Sequence, residues 1–119
     1  MTKEDGRAGE RAALTWYEGR GFRLLAENFH SRYGEIDLIV EDGETLVFCE
    51  VKTRRSDRYA RPSEHVDAKK QQKILLTAET WLEKHPTELQ PRFDVMEVFF
   101  TSGRAEIVHI ENAFTGEEG

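Results

Sequence analysis

Three carboxylates and one ammonium fall close together in the middle of the chain: Glu35 and Asp37, then Glu50 and Lys52. Hard carboxylate oxygens at about 2.1 Å are the donors Mg²⁺ takes, its other positions being left to water and substrate phosphate. An ion held this way activates water and neutralises charge on a phosphate, while a neighbouring lysine stabilises charge that develops in the transition state. The chemistry within reach of these residue types is phosphodiester hydrolysis assisted by Mg²⁺ or Mn²⁺. The same side chains would also suit a solvated strand face carrying ion pairs, and a Glu-x-Lys triplet alone recurs by chance.

A predicted hairpin places them. Its arms, Gly34–Val40 and Thr45–Lys52, are rich in β-branched and aromatic residues, and Asp42-Gly43 between them is a type I′ turn signal. With Asp42 and Gly43 as the turn residues, facing partners are those whose numbers sum to 85. Alternation then puts Ile36, Leu38, Val40, Thr45, Val47, Cys49 and Val51 on one face, which reads as core. Glu35, Asp37, Ile39, Leu46, Phe48, Glu50 and Lys52 share the other. Glu35 falls directly across from Glu50, and Asp37 lies diagonal to it at roughly 7 Å between Cα atoms. Like charges opposed across a ladder destabilise it, and a divalent cation among them would remove the penalty. This register leaves open whether Glu35 or Asp37 is the partner of Glu50.

The flanking elements follow in order. Residues 7–20 read as a helix with a stripe of Ala13, Leu14 and Tyr17, ended by Gly19 and Gly21. Glu10 lies on that stripe, where it would need a metal or a basic partner; as a first-turn acid it would also complement the helix dipole. Phe22–Phe29 is a predicted strand, with Asn28, His30 and Ser31 leading into the hairpin. After Lys52 an irregular stretch carries Arg54, Arg55, Arg58 and Arg61 with Tyr59, a set able to grip phosphates and stack on a base. A helix from Asp67, its N-cap, to Lys84 buries Ile74, Leu75, Ala78, Trp81 and Leu82. Lys69, Gln72 and Lys73 lie at its start, where amide donors would reinforce an anion site. Strands over 92–100 and 105–111 follow, turned at Ser102-Gly103, and a frayed tail spans 112–119. The order is αβββαββ, an α/β chain of one domain over 1–119 with an ordered core from 6 to 111.

The formal net charge of −6 argues against nucleic-acid binding by bulk electrostatics, but the charge is uneven. Between Lys52 and Lys73, eight lysines and arginines meet three carboxylates, leaving +5 there and −11 for the remainder. A basic stretch beside an acidic cluster suits a phosphate backbone. A lone cysteine, Cys49, offers no disulfide framework and fits a reducing compartment. The polar start lacks a secretion signal and no stretch is long enough to span a bilayer, so a cytoplasmic location without membrane contact is expected.

Several segments together resemble the bacterial YraN family: Gly9-Glu10 with Ala13, Gly21, Asn28, Gly34-Glu35-Ile36-Asp37-Leu38-Ile39, Leu46 to Arg54, Pro62, Lys69 and Arg92-Phe93-Asp94-Val95. That family is similar to archaeal Holliday-junction resolvases and, more distantly, to the PD-(D/E)xK nucleases. The match runs from about residue 6 to residue 100; Cys49 stands where the family usually has Val. The resemblance implies a restriction-endonuclease-like fold, a central mixed β-sheet flanked by helices. It implies Asp37 and Glu50 as principal metal ligands, Lys52 as the residue that orients water and stabilises the transition state, and Glu10 as the last of the acidic set. It favours Asp37 over Glu35, and a bulge near the site would bring Asp37 closer to Glu50.

The reading is a Mg²⁺- or Mn²⁺-dependent endonuclease acting on DNA, with branched DNA as a candidate substrate. The catalytic set is Asp37, Glu50, Lys52 and Glu10; Arg54, Arg55, Lys69, Gln72 and Lys73 are the nucleic-acid contacts. The alternative is a module of the same fold that binds nucleic acid without cutting it. A homodimer would suit a symmetric four-way junction.

Overall fold

The computed structural model describes residues 3–55 and 67–114, with the side chain of Arg55 outside that description. Its elements are α1 (Lys3–Glu18), β1 (Arg23–His30), β2 (Glu35–Glu41), β3 (Thr45–Arg55), α2 (Ala68–Lys84), β4 (Gln90–Thr101) and β5 (Arg104–Phe114). The five strands form one mixed sheet in the order β1-β2-β3-β4-β5. Only β3 and β4 run parallel, because α2 lies between them in the chain and carries it back to the same end. This αβββαββ arrangement of α/β class is consistent with a nuclease-like fold. No helix among the described residues is long and apolar enough to cross a membrane.

The centre of the sheet is buried on both faces, each covered by one helix among the described residues. Against α1, Ala13 and Tyr17 pack on Leu38, Val40, Val47, Cys49, Met96 and Val98. Against α2, Ile74, Ala78 and Trp81 pack on Ile36, Ile39, Leu46, Phe48, Phe93 and Val95. Alternation along β2 and β3 accounts for this division except at Ile36. The alternation puts Ile36 with Leu38, yet it joins the cluster under α2, because β2 changes its course at Asp37.

The hairpin turns one residue later than Asp42-Gly43 predicts. The ladder pairs Glu41 with Leu46 and Leu38 with Cys49, so partners sum to 87 rather than 85. The Asp42 carboxylate causes the shift: it accepts the amides of Glu44 and Thr45 at 3.0 and 2.8 Å, leaving Gly43, with φ 94°, and Glu44 at the tip. A slip of two preserves which face each residue occupies but replaces every partner. At the other end, β5 continues through Phe114, which is buried and stacks on Phe93 with ring centroids 5.1 Å apart. A tail beginning at Asn112 is therefore corrected; residues 115–119 lie outside the described residues.

One buried acid ties the layers together. Asp94, 1 % exposed, receives Tyr17 Oη at 2.7 Å, Arg92 Nε and Nη2 at 2.9 Å each, His109 Nε2 at 2.7 Å and the Asn112 amide at 2.9 Å. Burial alone would raise its pKa, but the hydrogen bonds from His109, Arg92, Asn112 and Tyr17 prevail and hold it at about 2. The contact of α1 with β3 is equally close. A Cβ on Gly9 would meet Thr53 Cβ at 3.1 Å and its Oγ1 at 1.9 Å, so only glycine allows the helix to settle there.

Two stability outcomes follow. Gly9→Ala gains roughly 1 kcal/mol of helix propensity yet loses about 1–3 kcal/mol to overpacking, and adding Thr53→Ala recovers part of the loss. Urea denaturation of the single and double variants measures this; a Gly9→Ala chain more stable than wild type contradicts the close packing. Asp94→Ala leaves the buried Tyr17 hydroxyl and the half-buried Arg92 and His109 without their acceptor and lowers stability by about 1–3 kcal/mol, read from the same transition.

Candidate functional site

Asp37 and Glu50 meet where the sheet comes apart. The β2–β3 ladder ends at Leu38↔Cys49, and at the next position the Asp37 carboxylate accepts the Val51 amide at 2.8 Å, where a backbone carbonyl would otherwise serve. On the opposite side of β2, β1 pairs Glu27 with Leu38 and Phe29 with Ile36, leaving Asn28 and Asp37 without a ladder partner. Asn28 adopts φ 50°, a conformation asparagine tolerates, and its amide donates to Glu10 Oε1 at 3.3 Å. Asp37 thus occupies a notch between two strands. Continuing the observed register sets it opposite Glu50, whereas the sequence register set Glu35 there.

The start of β2 is held in place from α2. The turn from Ser31 to Gly34 is closed by Ser31 N to Gly34 O at 2.8 Å, and Ser31 Oγ lies 2.9 Å from Thr77 Oγ1 on the buried face of α2. The other end of α2 is set by Asp67, whose Oδ1 accepts the Lys70 amide at 2.8 Å. That cap points the first turn at the notch. Tyr33, Gly34, Glu35, Asp37, Glu50, Lys70, Lys73 and Ile74 line a cleft of about 270 Å³.

Electrostatics make this cleft unlike the Asp94 cluster. Burial, followed by the charge of Glu50 and then of Glu10 and Glu35, pushes the Asp37 carboxyl up to about 8, and the Val51 amide offsets only part of this. Burial likewise raises Glu10, with Glu35 and Glu27 adding to it against the Asn28 hydrogen bond. Glu50, with a side chain 12 % exposed, has Lys70 Nζ 2.9 Å from its Oε2.

The predicted set divides. Asp37 and Glu50 come together on the cleft wall, and Glu10 lies within electrostatic reach. Lys52 is half-buried on the same strand face as Glu50, its backbone level with Glu97 of β4. Arg54 is committed elsewhere: its Nη2 is 3.5 Å from Oε2 of the buried Glu97. Arg55 is paired with Phe100 through the backbone, and its side chain lies outside the described residues. So do Arg58, Tyr59 and Arg61. Of the three residues expected at the start of α2, Lys73 lines the cleft, Lys69 is exposed and does not, and Gln72 faces a different cleft towards β4.

Lys70 was missed, although the signal was present. It precedes Ile74 by one helical turn, so it lies on the buried stripe of α2, the same logic that singled out Glu10 on α1. Tyr33 had no comparable signal, because it enters the cleft through a turn rather than through a periodic element.

Among the described residues, no three His, Cys, Asp or Glu side chains converge closely enough to hold a metal ion between them. Glu10 therefore does not close a three-carboxylate cage with Asp37 and Glu50; its carboxylate is turned to Asn28. The remaining pair still fits Mg²⁺, which is commonly held by one or two carboxylates and completed by water and substrate phosphate. Lys70 on Glu50 marks a position where positive charge is favourable.

Comparison with known proteins agrees with the motif resemblance. The model of the uncharacterised protein family UPF0102 matches residues 9–98. A UPF0102 protein of Symbiobacterium thermophilum is 46 % identical over 116 residues, covering 96 % of this chain and 98 % of its own. A UPF0102 protein of Geobacter metallireducens is 42 % identical over 94 % and 93 % of the two chains. The UPF0102 protein YraN of Escherichia coli O1:K1 is 44 % identical over 95 % and 86 %. With the match spanning most of the chain in each case, the chain belongs to the uncharacterised protein family UPF0102, the family of YraN.

Proposed function

We propose that this chain is a nuclease that hydrolyses phosphodiester bonds in DNA with Mg²⁺ or Mn²⁺, branched DNA being the favoured substrate. One observation supports it above the others: Asp37 is half-buried in a notch of the sheet beside Glu50, in a cleft rimmed by Lys70 and Lys73. A buried carboxylate set against another is costly unless a cation joins them. Perturbed acids in a cleft are also where catalytic groups are found.

In this reading Asp37 and Glu50 hold the divalent ion. When bound, it supplies charge neutralisation at the scissile phosphate and activation of the attacking water. Lys52 extends from the same strand face as Glu50 and stabilises negative charge gathering on phosphorus during attack. Lys73, in the second turn of α2 on the cleft rim, holds the flanking phosphate. Glu10 and Asn28 keep the far side of the notch polar and Asp37 oriented.

The Lys70–Glu50 ion pair favours a second reading, in which lysine is the permanent cation and the fold binds nucleic acid without cutting it. The two separate cleanly. Incubating duplex, single-stranded, flap and four-way DNA with Mg²⁺ or Mn²⁺ gives metal-dependent products in the first case. The second gives binding that persists in EDTA and no products.

Asp37→Asn and Glu50→Gln each reduce cleavage at least about 100-fold, the usual scale for losing one stabilising group at a reacting centre. Asparagine retains an oxygen for the Val51 amide, so the Asp37 variant keeps its fold by circular dichroism. Cleavage by the double variant at the wild-type rate removes the nuclease reading.

Stability also depends on pH through Asp37. Its carboxyl titrates at 3.8 ordinarily and at about 8 in the fold, so the folded chain holds a proton that the unfolded chain releases. This contribution is complete below about pH 4 and is lost as pH rises through about 8. In metal-free buffer, wild type therefore loses stability relative to Asp37→Asn across that window, and saturating Mg²⁺ flattens the difference. Parallel curves for the two proteins exclude it.

A further inference from the structure

Lys70 occupies the position on Glu50 where, in the proposed reading, the divalent ion makes its contact, and this deepens that reading. We infer that Lys70 is an exchangeable internal cation: it neutralises Glu50 in the metal-free protein, yields that carboxylate when the ion arrives, and then pairs with a phosphate of the nucleic acid. The geometry comes from three parts of the chain. Glu50 Oε2 is 2.9 Å from Lys70 Nζ, in a side chain that is 12 % exposed. Lys70 itself is 51 % exposed, so its flexible stem is free to swing towards solvent without breaking core packing. The Asp67 cap keeps its backbone at the cleft rim throughout, beside Lys73.

Each step of the exchange leaves a cation beside the acids, and the added positive charge of the ion is met by the phosphate that arrives with it. A metal-free cleft would leave Asp37 and Glu50 opposed with Glu10 and Glu35 nearby, and one ammonium relieves part of that repulsion. Once a divalent ion takes its place, the displaced ammonium stands at a helix N-terminus, where phosphate is the natural partner. A half-exposed ion pair is weak, so Lys70 delays the metal without excluding it. The device couples the two ligands modestly: the ion binds more tightly when nucleic acid is present to receive the lysine. Lys70 is thus a positioning residue for substrate and a competitor for metal.

The test measures metal binding directly, with Mn²⁺ followed by electron paramagnetic resonance, on the whole chain as wild type, Lys70→Met, Lys70→Arg and Glu50→Gln. Lys70→Met is expected to bind Mn²⁺ about two- to five-fold more tightly than wild type, the scale of a partly exposed ion pair. Lys70→Arg, which grips a carboxylate with two parallel donors, is expected to bind it more weakly. In Ca²⁺, with no turnover required, Lys70→Met loses affinity for four-way DNA, and the slope of log affinity against log salt falls by about one. Unchanged or weakened Mn²⁺ binding in Lys70→Met, with Glu50→Gln defective, overturns the exchange and leaves the metal site standing. Equal Mn²⁺ binding by wild type and Glu50→Gln, or none by any variant, overturns both.

Discussion

A carboxylate standing in for a backbone carbonyl governs this molecule. Asp37 accepts the Val51 amide where β2 and β3 would otherwise continue their ladder, and the sheet opens at that point. An amide buried in a sheet must find an acceptor, so the side chain is drawn inward and cannot escape to water. The result is an acid held beside Glu50 by the same bond that keeps the strands together. Removing the acid exposes the amide; keeping it retains the repulsion. The rest of the fold supports this compromise. Gly9 lets α1 come down on Thr53, Asn28 leaves the β1 ladder to meet Glu10, and Ser31 anchors the turn before β2 to Thr77 of α2.

Asp94 and Asp37, acids on opposite sheet faces, have contrary fates. Asp94 is surrounded by donors from α1, β4 and β5, and its charge is more stable folded than unfolded. Asp37 is surrounded by other acids, and its charge is less stable folded than unfolded. Burial acts on both in the same direction, so the difference lies in the neighbours. An acid satisfied from every side is architecture. One held at a disadvantage next to open space is where a cation would be most favourable, and that contrast supports the reading proposed for the cleft under α2.

Cations beside the acids divide in the same way. Arg54 balances the buried Glu97 and so belongs to the sheet, while Lys70 and Lys73 belong to the cleft. Within the basic stretch, Arg54 thus meets the sheet while Lys70 and Lys73 face the cleft. Membership of UPF0102 does not name a reaction, and fold alone never does, so the functional reading rests on how these particular groups are arranged.

The element order, the strand faces except at Ile36, and the α2 cap were legible in the sequence, because alternation, helical periodicity and capping are local properties of the chain. The pairing of Asp37 with Glu50 was legible only through family resemblance. The turn signal at Asp42-Gly43 pointed to another register, because the Asp42 side chain claims the amides of Glu44 and Thr45 and moves the tip one residue on. Tertiary structure alone decided that Glu10 turns to Asn28, that Lys70 reaches Glu50, that Arg54 is spent on Glu97, and that β5 extends to Phe114. The physical reason is common to all four. Each outcome depends on which charge or ring arrives from a distant segment, and a charge settles on the nearest partner the packed fold provides.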